Sequence, residues 1–394
     1  MSILKIKKGP FPSSVIVPSS KSYANRALIL AALKSAPVNL INLPLATDVT
    51  HLVDALKSIG LDVVESESSL LIKNSFPECE SSEKEVFVGE GGTTARFLSV
   101  LLLLGHKRYT LKLGQRLKER PWQEYLDLAH KLGAFAELKD DRLIIQGPIK
   151  IPQVLYVDCS RTTQFATAFD LVLGKFNTNV TPMNLESSES YWRMNTPLKN
   201  HLMQHDHYSI PADWSSAAFP MAFAALNHPI KFPGLIEDPL QADSKILDVL
   251  RKLFSVQFHE NTFVVGPAVK RASIKLDMRD CLDLFPALSY LVSHIDGTHE
   301  LSGLQNLAHK ESHRLKEVGS LLKEFDRHYE VQGNTIIIHG SEKYCGEKNL
   351  KLPDDHRIVM AAALFLRHHS GGTIDNAESI NKSYPGFFEL LRSE

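Results

Sequence analysis

Basic and hydroxyl residues recur where apolar stretches begin. Lys21, Ser22 and Arg26 open one such stretch, and Gly91, Gly92, Thr93 and Arg96 open a second. Thr162, Thr163 and Gln164 open a third, and His356 and Arg357 the last. If these stretches are helices, their free backbone N–H groups and positive dipole ends attract anions. Glycine permits close backbone approach and hydroxyls add donors. One Ser or Thr start is an ordinary N-cap. Several at corresponding positions, most with Lys or Arg inside the first two turns, read as a set of anion ligands.

Two further stretches concentrate positive charge. Arg116-Leu-Lys-Glu-Arg120-Pro121 precedes a helix whose first turn can accept proline. In the run 306–314, Lys310 and Arg314 lie four apart on one helical face, with Glu311 beside Lys310. A surface ion-pair helix would carry this pattern, with little effect on stability. So would a lysine and an arginine for anions with a glutamate for proton transfer. Spacing alone leaves both readings open.

Other chemistries lack their signatures. His309, His313 and His356 are not in HExxH or any metal spacing, and no metal site is expected. GEGG at 89–92 is neither a Walker A loop nor GxGxxG, and no GxSxG elbow is present. Nucleotide-dependent chemistry is not expected.

An internal repeat positions these residues. A helix with one apolar face, a stop, and two alternating strands joined by a polar turn are expected at 55–74, 128–147, 249–266 and 321–340. Stretches 20–33, 90–105, 160–174, 213–226, 280–294 and 355–369 are apolar around most of the helical surface, as buried helices are. Taking Ser22, Thr93, Thr162, Ser215, Asp283 and His356 as equivalent points gives intervals of 71, 69, 53, 68 and 73 residues. Six units follow, and the third has lost most of its hairpin after Gln204. Six units of this length exceed one core, so three per domain are expected, with a boundary near Pro211. The Ser/Glu-rich stretch 78–85 is expected as a solvated loop.

The 394 residues carry 44 Lys+Arg against 45 Asp+Glu, so no global basic footprint for nucleic acid exists. Cys79, Cys159, Cys281 and Cys345 are scattered, which fits free thiols in a reducing compartment. No signal-peptide pattern opens the chain, and no apolar run approaches the roughly 18 residues of a membrane span. A soluble, cytoplasmic protein is expected, with neither a nucleic-acid nor a membrane partner.

From Pro18 to Phe388 the motifs resemble the enolpyruvyl transferases, most closely the EPSP synthases. SKSYANRAL is similar to the family's opening motif, which implies Lys21 at phosphoenolpyruvate (PEP) and shikimate 3-phosphate, and Ser22 and Arg26 at shikimate 3-phosphate. GEGGTTARF resembles the glycine loop, implying Gly92 against PEP, and LKERP implies Arg120 on the PEP phosphate. SRTTQF implies Thr162 and Thr163 at the shikimate phosphate and Gln164 at both substrates. SSESY implies Ser188 and Tyr191 at shikimate 3-phosphate. Asp283 matches the catalytic aspartate, which also binds shikimate 3-phosphate. NLAHKESHR implies Asn306 and Lys310 on shikimate 3-phosphate, Glu311 in proton transfer and Arg314 on the PEP carboxylate. DDHR implies Arg357 on that carboxylate, and NKSYP implies Lys382 on PEP.

The resemblance also implies an α/β fold of two similar domains, each of three βαβαββ repeats with helices inside and sheets outside, an inside-out α/β barrel. The domains would be 19–211 and 212–394, the latter joined by an N-terminal strand from 1–18, with the active site in the cleft between them. The implied reaction is carboxyvinyl transfer by a monomer, with no metal or organic cofactor. Asp283, Glu311 and Lys21 are the proton-transfer candidates. The substrates would bring about −5 to −6 of charge, so a strongly positive cleft is expected.

Four residues depart from the pattern. Glu90 replaces a usual asparagine beside the PEP loop, Thr162 and Thr163 replace serines, and Arg161 has no family role. Rival readings are UDP-N-acetylglucosamine enolpyruvyl transferase and an inactive ligand-binding paralogue. The former usually carries a cysteine in the loop corresponding to 113–121, which has none here.

Overall fold

Six helices form the cores: Lys21–Leu33, Gly92–Leu102, Gln164–Leu173, Trp214–Leu226, Phe285–Ser293 and His356–His368. Each is almost wholly buried, because apolar residues surround it after the first turn. These elements come from a computed structural model, which describes residues 3–81, 84–268 and 272–392. The chain divides into two compact units. One comprises Ser19–Pro211, and the other Met1–Pro18 with Ala212–Glu394. In each unit three of the buried helices pack on one another.

The second repeat illustrates the pattern. Strand Lys84–Gly89 leads through helix Gly92–Leu102 to the parallel strand Arg108–Leu113. Helix Gln123–Lys131 then leads to the hairpin Phe135–Lys139 and Arg142–Gln146, whose second strand pairs antiparallel with Arg108–Leu113. Helix and hairpin recur at Thr47–Ser58 with Val63–Glu65 and Ser69–Ile72, at Ile246–Leu253 with Ser255–His259 and Thr262–Gly266, and at Arg314–Glu324 with His328–Gln332 and Thr335–Gly340. All four hairpins lie in the stretches where the period of apolar residues changes from helical to alternating, and each helix begins three to eight residues before its stretch.

The third repeat is shortened. Its sheet holds only Val154–Asp158 and Asn179–Met183. After helix Asn195–Gln204 a single strand, His207–Ser209, joins the first repeat's sheet beside Val38–Ile41. Among the described residues the sixth repeat likewise shows no hairpin of its own, and Leu4–Ile6 completes its sheet against Gly372–Ile374. Of stretch 78–85, Lys84 and Glu85 already belong to a strand, while 82 and 83 lie outside the described residues. Among the described residues, no helix is long and apolar enough to cross a membrane.

Candidate active site

In Ser19–Pro211 most candidate ligands stand at the N-terminal ends of the three buried helices, while Arg120 follows helix Gln115–Lys118 and Ser188 and Tyr191 lie at helix Glu189–Arg193. Ser20 caps the first, and Lys21 pairs with the buried Asp48 at 2.8 Å. Arg26, one turn further, donates from Nε to Asn195 Oδ1 at 3.1 Å, from Nη1 to the Ser22 carbonyl at 2.8 Å, and from Nη2 to the Tyr191 carbonyl at 2.7 Å. Burial lowers its pKa to about 10. Arg26 therefore ties the first helix to the Tyr191 segment, where Ser188 takes the left-handed conformation with φ of 61°.

Gly91 caps the second helix, and Gly92 is its first residue. A Cβ at Gly92 would lie 2.5 Å from Arg120 Nη1 and 2.9 Å from Cζ, so the Arg120 guanidinium rests directly on this backbone. At the third helix, Thr162 Oγ1 accepts from the Gln164 N–H at 3.2 Å. Thr163 occupies the N-cap position and is buried. Gln164 Nε2 donates to Thr93 Oγ1 at 3.1 Å, linking the second and third helix starts. Arg161 is exposed and lies 3.8 Å from Glu124.

In the second unit the charges converge on Asp283. Arg314 Nη1 donates to Asp283 Oδ1 at 2.6 Å, Lys310 Nζ lies 3.2 Å from the same oxygen, and Arg357 Nη2 lies 3.3 Å from Oδ2. Burial pushes the Asp283 carboxyl up, but Arg357, Lys310 and Arg314 outweigh it and hold the group well below the usual range. Asp355, fully buried, caps helix His356–His368 by accepting from the Arg357 N–H. It also accepts from Arg314 Nε at 2.8 Å and Nη2 at 3.2 Å. Arg314 thus spends three N–H groups on two carboxylates. Burial lowers its pKa, and Asp355 and Asp283 more than reverse this.

Glu311 Oε2 is 2.9 Å from His356 Nδ1 and 3.8 Å from Lys382 Nζ. Burial opposes ionisation of Glu311, but His356 and then Lys382 hold it well below the ordinary carboxylate range. An ionised carboxylate only accepts, so the shared proton sits on Nδ1. Lys382 also pairs with Asp354 at 2.9 Å. Asn306 lies in the short helix Gln305–His309 that precedes Lys310. Lys310, Arg314, Arg357 and Lys382 are matched within this unit by Asp283, Asp355, Glu311 and Asp354. Buried cations need such partners, so the positive charge inferred from the basic residues alone is largely balanced here.

The model of the EPSP synthase (3-phosphoshikimate 1-carboxyvinyltransferase) family matches residues 6–391. The chain belongs to that family. Its relatives include the 3-phosphoshikimate 1-carboxyvinyltransferase of Clostridium kluyveri, 30% identical with 100% of this chain and 97% of the relative covered. That of Pyrococcus abyssi is 29% identical, covering 96% of this chain and 94% of the relative. Among solved structures, the EPSP synthase of Acinetobacter baumannii aligns with a TM-score of 0.76 at 18% identity, over 99% of this chain and 97% of that one. The enolpyruvyl transferase NikO of Streptomyces tendae aligns with a TM-score of 0.77 at 14% identity, over 99% and 96%. The fold is that of the enolpyruvyl transferases.

Glu90, the departure from the EPSP synthase pattern, turns its carboxylate to the backbone. Oε1 accepts from the Arg116 N–H at 3.3 Å and Oε2 from the Leu117 N–H at 3.0 Å, at the start of helix Gln115–Lys118. The loop bearing Arg120 is thereby tied to the strand that leads into Gly92.

Two residues at the site, Asp355 and Asp243, went unassigned in the sequence, while Arg96 and His356 stood there only among the anion ligands at helix starts. Arg96, 1% exposed, donates from Nη1 to Gln164 Oε1 at 2.6 Å and from Nη2 to the Pro121 carbonyl at 2.9 Å. Its signal was an arginine inside an otherwise apolar helix. Asp355 was visible only as a polar residue before the buried helix that His356 opens. Asp243 is fully buried and accepts from Ser215 Oγ. Its pKa rises to about 6, through burial first and the Asp283 charge second. Nothing in the sequence marked it.

Proposed function

We infer that the chain transfers the carboxyvinyl group of PEP to the 5-hydroxyl of shikimate 3-phosphate. The hydroxyl oxygen attacks C2 of PEP, C3 takes up a proton, and the hydroxyl proton is lost, giving a tetrahedral ketal. Breaking the C2–O bond to phosphate and removing a proton from C3 restores the double bond, releasing the enolpyruvyl ether and inorganic phosphate.

The observation that carries this reading is the arrangement in the second unit. Lys310, Arg314 and Arg357 surround one carboxylate, Asp283, while the Glu311–His356 pair stands beside them. That arrangement offers cations for phosphate and carboxylate groups together with a carboxylate–imidazole pair able to hold a proton. Shikimate 3-phosphate is assigned to Lys21, Ser22, Arg26, Thr162, Thr163, Gln164, Ser188, Tyr191, Asp283, Asn306 and Lys310. PEP is assigned to Lys21, Gly92, Arg120, Gln164, Arg314, Arg357 and Lys382. Asp283, Glu311 and Lys21 are the groups proposed to move protons, in a monomeric cytoplasmic enzyme that uses neither metal nor organic cofactor.

The test is phosphate release from PEP by the purified protein, with and without shikimate 3-phosphate. Release that requires shikimate 3-phosphate is expected. Release supported by UDP-N-acetylglucosamine instead, or by neither acceptor, would overturn the reading.

A further inference from the structure

The sheet of Lys275–Asp277, Gly297–Ser302, Thr335–Gly340 and His328–Gln332 turns Ile336 and Ile338 inward, both fully buried. Alternation puts Thr335, Ile337 and His339 on the other face. The register sets His328 opposite His339 on one side and Thr298 opposite it on the other. Glu330, two residues beyond His328, shares that face. Two imidazoles and a carboxylate are thus gathered on one rigid patch outside the core.

Their donor atoms lie within 4.8 Å of one another. The His328 and His339 ring centroids are 4.8 Å apart, and His339 Nε2 is 3.8 Å from Glu330 Oε1. His339 Nδ1 lies 3.3 Å from Thr298 Oγ1, so a hydroxyl accounts for that nitrogen. Nε2, by contrast, has no hydrogen-bond partner among the described residues and is shielded from solvent. With Nδ1 donating to Thr298, the Nε2 lone pair faces a carboxylate, an arrangement that favours a cation between them.

We propose that His328, Glu330 and His339 form a binding site for a divalent transition-metal ion of the zinc–nickel–copper group. Two imidazoles and a carboxylate suit these borderline ions, whereas calcium and magnesium prefer oxygen ligands throughout. Metal–donor bonds of about 2.0–2.2 Å require the donors to close from their present spacing. The exposed His328 and Glu330 can do so by side-chain rotation on a fixed backbone. Thr298 orients the third ligand, as an outer hydrogen bond does for most metal-bound histidines. Water completes the coordination. The ion would pin strand His328–Gln332 to Thr335–Gly340, on the face of the sheet away from the buried helices.

Two other clusters compete poorly. At Glu311, Asp355 and His356 the carboxylates already accept from Arg314, Ser312 and His356. At His201, His205 and His207 the rings are as much as 6.2 Å apart, and His201 Nε2 bonds the His207 carbonyl.

The test is calorimetric titration of the chelator-stripped full chain with zinc chloride, and separately with nickel chloride. One ion per chain is expected, together with a metal-dependent rise in melting temperature. His339→Ala and Glu330→Ala should weaken binding at least tenfold, and Thr298→Val about tenfold, with melting temperatures in chelator close to wild type. His205→Ala should bind as wild type does. No binding by the wild type, unchanged affinity in His339→Ala, or loss of binding in His205→Ala would each overturn the proposal.

Discussion

Arg96 Nη1 donates to Gln164 Oε1 at 2.6 Å, and the same guanidinium reaches the Pro121 carbonyl at 2.9 Å. One buried cation therefore orients a residue assigned to both substrates and anchors the segment that follows Arg120. Phe165 and Trp122 lie 5.0 and 5.6 Å from its Cζ and close the cage. Arg96→Lys keeps the charge but loses the planar fork. It should lower kcat/KM about tenfold or more, since a hydrogen bond to a charged group contributes about 1.5–3 kcal/mol. In a Gln164→Ala background the further loss should shrink. Fully additive losses in a double-mutant cycle would refute the link.

Glu311→Gln keeps shape and removes the titrating group. If the Glu311–His356 pair moves a proton, kcat should fall about 10²–10⁴-fold, while affinity for shikimate 3-phosphate stays close to normal. A near-normal kcat would remove Glu311 from the mechanism and leave Asp283 and Lys21 as the candidates.

Gly92→Ala places a methyl 2.5 Å from Arg120 Nη1. The guanidinium must move, because its tip yields before the backbone does. The KM for PEP should rise about tenfold or more, with binding of shikimate 3-phosphate spared. Isothermal titration with shikimate 3-phosphate alone separates the outcomes, and equal weakening of both substrates would contradict the assignment.

Glu90→Ala removes the acceptor for the Arg116 and Leu117 N–H groups. The Arg120 loop should loosen, raising the KM for PEP about tenfold with a smaller change in kcat. Glu90→Gln, which keeps one acceptor oxygen, should fall between. Steady-state kinetics with PEP varied at saturating shikimate 3-phosphate measures the split, and a pure kcat effect would count against it.

Acid should destabilise the second unit through three imidazoles. Burial holds His294 well below the usual histidine range, His368 at about 4 and His369 at about 3. All three stay neutral when folded, while the unfolded chain protonates below about 6.5. Stability should therefore be level above about pH 6.5 and fall as pH drops toward 4. Asp243, raised to about 6, contributes in the opposite sense over part of that range. His368→Gln should flatten the slope of denaturation midpoints between about pH 6.5 and 4. An unchanged slope would show that the cluster does not control it.

Much of this protein is legible in its sequence. Buried helices declare themselves by apolar residues on every side, as Trp214–Leu226 does. Hairpins declare themselves where the period shortens, as at Phe135–Gln146. These signals are local, because each follows from how one element meets solvent or core. The basic residues at Lys21, Arg120, Lys310 and Arg314 were visible for the same reason, as types in recognisable strings.

Tertiary structure decided which partner each charge takes. Arg314 lies between Asp355 and Asp283, 41 and 31 residues away. Glu90 caps a helix 26 residues on. Asp243 is buried against Ser215, 28 residues earlier. Such pairings depend on where the sheets place the helix ends, and desolvation makes them strong enough to shift titration. A linear string records the residue types, while burial and partner distance arise only when the repeats stack.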